Sequence, residues 1–69
     1  HFSPVSYDFS GMKPSKLHEL AQYMEKFHFI SETCHGIAKA LLPIVEERKH
    51  ELHTLYKAGF HLREELEIN

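Results

Sequence analysis

Sixty-nine residues with a net charge of −2 and 42% hydrophobic content make at most one domain, and its core is small, because a chain this short buries only about 60% of the surface it exposes when unfolded. The eight Lys and Arg residues lie scattered among ten acids, which argues against the clustered positive charge of a nucleic-acid interface and against polybasic attraction to anionic lipid; no run of about 18 apolar residues marks a transmembrane segment, and no signal-peptide pattern opens the chain. Cys34 is the single cysteine, so an intrachain disulfide is excluded and a reducing, intracellular and cytoplasmic setting is expected.

Residues 1–14 read as an extended arm, and residues 15–69 as a helical bundle domain. In the arm, Val5, Tyr7 and Phe9 alternate with Ser6 and Asp8 between Pro4 and Pro14. The pattern has the period of a strand, but no second strand signal exists for it to pair with, so its aromatics are expected to dock on the helices. The start at His1 is that of a fragment, a processed form or a chain with a trimmed tag.

Helix is expected from Pro14 or Ser15 onward, with Ser15 as a cap or Pro14 at the first helical position. A heptad rhythm then holds its phase from Leu17 to Leu66. Its a positions are Leu17, Met24, Ser31, Ala38, Val45, Leu52, Gly59 and Leu66, and its d positions are Leu20, Phe27, Cys34, Leu41, Arg48, Leu55 and Leu62; twelve of these fifteen are apolar. Ile30, Ile37 and Ile44 at g widen the stripe. The polar window from Ser31 to Gly36 is the expected loop, and Pro43 the expected bend, since proline removes one intrahelical hydrogen bond.

Two all-α architectures fit. One is a helical hairpin that turns at residues 31–36 and whose second helix bends at Pro43. The other is one long bent helix over residues 15–67, roughly 78 Å at 1.5 Å per residue. Charges at e and g would mark a two-stranded coil; an apolar stripe this broad suits a bundle instead. Two helices cannot cover each other's full stripes, so a homo-oligomer or a partner helix is expected, most economically a homodimer forming a four-helix bundle. The expected interface and core residues are Leu17, Leu20, Met24, Phe27, Ile30, Cys34, Ile37, Leu41, Ile44, Val45, Leu52, Leu55, Leu62 and Leu66. Arg48 and Ser31 interrupt the stripe. Arg48 either extends its charge to water or fixes register by finding a carboxylate on a facing helix. Phe60 falls at b, exposed, where it is a candidate anchor or a sign that the register shifts.

Seven histidines raise the question of metal. Glu25/His28, Glu32/His35 and Glu47/His50 are Glu-x-x-His pairs, the spacing by which di-iron bundles hold their metals. Here, however, the glutamates sit on the solvent side at b or c, and the inward acids that complete such sites are missing. Solvated charges are the expected reading, with no cofactor and no metal. Cys34 at d is expected to be a small core residue, and no base faces it to make it a nucleophile. No catalytic constellation can be assembled, so an enzyme is not expected. The function expected is a small helical protein–protein association module of a scaffold or regulatory protein. The alternatives are a metal-binding bundle and a membrane-surface module. For the last, the stretch from Leu42 to Leu66, which includes Leu52-His53-Thr54-Leu55-Tyr56-Lys57-Ala58-Gly59-Phe60, loosely resembles the final helix of BAR-type domains, and the resemblance would imply contact with a curved membrane surface.

Overall fold

Pro14 sits at the first helical position, where its missing N–H leaves no intrahelical bond unmade and its fixed φ suits the helix. The Lys13 carbonyl accepts from the N–H groups of Lys16 and Leu17 at 2.9 and 3.0 Å. In the computed structural model, which describes residues 7–26 and 31–68 (for Ile68 the backbone only), α1 runs Pro14–Lys26. α2 runs Glu32–Arg48 and α3 runs Thr54–Ile68, and a 3-10 turn over Lys49–Glu51 joins them. The described residues are therefore all-α, with three helices and no strand.

Each helix turns one narrow apolar row inward: Leu17, Ala21 and Met24 from α1, Ala38, Leu41 and Val45 from α2, and Leu55, Ala58 and Leu62 from α3, all between 0 and 7% exposed. The spacings i, i+3 or i+4, i+7 are those of one helical face. All three helices pack pairwise. The Cα radius of gyration is 11.7 Å, close to the roughly 11 Å of a compact chain this long. Leu20, Cys34, Ile37, Ile44, Leu52 and Leu66 are half-buried against this core. Phe27 and Ile30 lie outside the described residues.

Three expectations are corrected. The turn does not fall at residues 31–36. Ser31 is the N-cap of α2, with extended backbone at φ −132° and ψ 160°, and its Oγ accepts from the Cys34 N–H at 3.1 Å. That bond satisfies one of the otherwise unpaired donors of the first turn, so the polar residues that look like a loop start a helix. The helix also does not run on past Pro43 to residue 67. It passes through Pro43, whose ring is exposed, and ends at Arg48. Leu52 is extended at φ −154° and ψ 121°, and α3 starts afresh. A single long helix is thus excluded, and the two-helix hairpin gains a third member. Finally, a third helix, α3, packs on both α1 and α2 and helps to bury the inner row of the stripe.

The arm is irregular over its described part. The Met12 N–H bonds the Phe9 carbonyl at 3.1 Å, and Asp8 Oδ1 accepts from the N–H and Oγ of Ser10 at 3.0 and 2.6 Å. Phe9 and Met12 pack against the core, and Tyr7 stacks on Phe9 at 6.0 Å between centroids. Val5 lies outside the described residues.

Arg48 holds arm and corner together. Its Nη1 donates to the carbonyls of Ser10, at 2.9 Å, and Met12. Its Nε and Nη2 donate to Glu51 at 3.0 and 2.8 Å. The carboxylate expected on a facing helix is instead three residues on, in the 3-10 turn. A planar fork that satisfies four acceptors fixes the chain where Gly and Pro do not.

Candidate functional site

Two surfaces gather the polar and aromatic side chains that the core does not use. The first is a groove between α1 and α3 of about 470 Å³, lined by His18, Gln22, Glu25, His53, Lys57 and His61. On α1 the first three recur at i, i+4 and i+7, a face beside the buried row. His61 Nδ1 lies 2.9 Å from Glu25 Oε1 and ties α3 to α1. His18 Nδ1 is buried and is the one such side-chain atom among the described residues without a hydrogen-bond partner. Sequence reasoning missed His18, Gln22 and His61. The signal for the first two was their spacing; His61 depended on knowing which helix faces α1.

The second surface is the outer side of α3. Because Leu55, Ala58 and Leu62 turn inward, residues about 100° to 180° away point to water. Tyr56 is 53% and Phe60 62% exposed, so the register places Phe60 where it was expected. His53 and Lys57 lie toward the N-terminal end of this face and Glu64 and Glu67 toward the C-terminal end, all exposed. Lys49 Nζ sits 5.2 Å from the Tyr56 ring centroid, a cation–π distance. At one flank, Arg63 pairs with Glu46 of α2.

Among the described residues the Glu-x-x-His pairs do not come together as one group. Glu25 lies against His61, and His28 lies outside the described residues. Glu32 is exposed at the start of α2. His35 is half-buried beside Lys39, Leu42 and Leu66. Glu47 and His50 are exposed, and His50 approaches Glu51 at 3.9 Å. Among the described residues no three His, Cys, Asp or Glu side chains are grouped so as to hold a metal ion. Cys34 is half-buried against the core. Among the described residues no helix is long and apolar enough to cross a membrane.

The electrostatics are concentrated at the arm and corner. The hydrogen bond from Arg48 holds the Glu51 carboxyl below its ordinary value, and Glu51 in turn raises the Arg48 guanidinium. Hydrogen bonds from Ser10 lower Asp8. These groups build structure; none faces the groove or the outer side of α3.

Comparison with protein families, curated proteins and solved structures finds no match.

Proposed function

We propose that this chain is a small helical protein–protein association module without catalytic activity, acting by self-association in a scaffold or regulatory protein. The observation that carries the reading is the exposed pair Tyr56 and Phe60, one helical turn apart on the outer side of α3. Aromatic rings supply large apolar area at little entropic cost and dominate the desolvated centres of interfaces. The same helix has a complete buried row on its other side, so these rings have no part in closing the core. The inner row of the apolar stripe is not the contact surface in this reading, since the described helices bury it within one chain. With three described helices per chain, a two-fold dimer in this reading brings together six helices rather than four.

Sedimentation velocity of the chain from low micromolar to near millimolar concentration tests the proposal. A reversible shift from monomer to dimer is expected. A chain that sediments as a monomer throughout overturns it.

A further inference from the structure

The charges around Tyr56 and Phe60 specify what the outer side of α3 fits. With 1.5 Å of rise and about 100° of turn per residue, Lys57 lies about 4.5 Å toward the N-terminus from Phe60 and Glu64 about 6 Å toward the C-terminus, both displaced to the same side of Phe60. Tyr56 and Arg63 occupy the matching positions on the opposite side. Glu67 lies further out along the helix, near the centre line, and His53 immediately precedes its first residue. Among the described residues Lys57, Glu64 and Glu67 have no ion pair, so this face carries an unneutralised basic end and an unneutralised acidic end, with aromatics between them.

We infer that this face binds a second copy of the chain, with the two α3 helices antiparallel about a two-fold axis that passes beside Phe60. The inference rests on the association reading and adds the partner and its geometry. A two-fold axis across the helix reverses position along it and preserves the side, so each Lys57 meets the Glu64 of the other copy, and each Tyr56 ring meets the Arg63 guanidinium that pairs with Glu46. Phe60 meets Phe60 at the centre. Every unlike contact occurs twice, as an isologous interface requires. A parallel arrangement keeps height and exchanges sides, so it gathers the basic ends of both copies at one level and the acidic ends at the other and sets Glu67 beside Glu67, which repel. Complementarity of this kind fixes orientation, and the rings at the centre supply the affinity.

Charge exchange tests the geometry. Lys57→Glu and Glu64→Lys, each alone, place like charges at both symmetric contacts and are expected to raise the dimer Kd about ten-fold or more. Mixing the two single variants sets two opposite-charge contacts in a heterodimer, and the double variant restores them in a homodimer. Both are expected to return to near the original Kd. Phe60→Ser is expected to abolish the dimer with the helical circular-dichroism signal and thermal midpoint retained, because the ring is outside the core. Raising salt weakens the original dimer. A dimer whose Kd ignores all three substitutions overturns the inference and leaves the association reading standing; a chain that is monomeric at every concentration overturns both. Loss in each single variant without recovery in the mixture overturns the antiparallel geometry.

Discussion

At the scale of single residues, Arg48 does more than any other polar side chain. One guanidinium, 18% exposed, serves two backbone carbonyls and one carboxylate, and so joins the arm to the corner after α2. Arg48→Ala is expected to lower the thermal midpoint more than Glu51→Ala does, since the second variant leaves the two carbonyl bonds in place. Arg48→Lys should not rescue the loss, because an ammonium cannot present the planar fork. Equal effects of Arg48→Ala and Glu51→Ala in thermal melts would show that only the ion pair matters. The core residues are as sensitive for a different reason. Leu55 is fully buried, and its truncation to Ala is expected to cost about 2–5 kcal/mol. That is comparable with the whole stability of a domain this small, about 3–5 kcal/mol, so Leu55→Ala should be largely unfolded at room temperature by circular dichroism.

At the scale of elements, the sequence was readable wherever one helix suffices to explain a residue. The inward rows of α1, α2 and α3 follow from helical spacing, and Leu17, Met24, Leu41, Val45, Leu55 and Leu62 are buried as that spacing requires. Pro14 is at the start it suits. The errors share a cause. Ser31 looks like a loop residue by propensity, but the same hydroxyl that disfavours a helix interior caps a helix start, and only the bond to the Cys34 N–H decides which. The end of α2 has no glycine or proline to announce it; the corner is held by Arg48 reaching the arm, a contact distant in sequence. Continuity of the heptad phase across that corner misled for the same reason, since each helix needs its own row but the connection between rows is not bound to break the count. Of the two surfaces, the exposure of Phe60 was legible from register, whereas that of Tyr56 and the Glu25–His61 and Glu46–Arg63 bridges required the topology. Gly36 gives an element-scale prediction. It lies within α2, and a Cβ there meets nothing within 4 Å, so Gly36→Ala should stabilise the chain by about 0.5–1 kcal/mol in urea titration. Gly59 differs, because its Cβ would lie 3.4 Å from Val45 Cγ1. Gly59→Val, with two further carbons to place there, is expected to destabilise the α2–α3 contact.

At the scale of the whole molecule, the three described helices each bury one apolar row against the others within one chain. Stability toward acid follows from the carboxyls that the fold depresses. Glu51 has an ordinary value of 4.5 and Asp8 one of 3.8, and both are lower in the folded chain. The unfolded chain therefore binds protons first as pH falls, so the stabilisation from these two groups is complete above their ordinary values and drains away below them. Urea midpoints measured from pH 7 to pH 2 are expected to stay level and then decline through this range. The decline should be shallower in Glu51→Gln, and an unchanged slope in that variant would remove Glu51 from the account.

The fastening of the arm has a consequence for how this chain can vary. Arg48 grips the peptide links at Ser10 and Met12 by their oxygens, and every amino acid carries that oxygen. The clasp is therefore blind to the identity of what it holds. Exchanges at Ser10 leave the hold of Arg48 intact so long as the arm keeps its path, while position 48 tolerates almost none: the lock is written in one letter, and the keyhole in the chain itself.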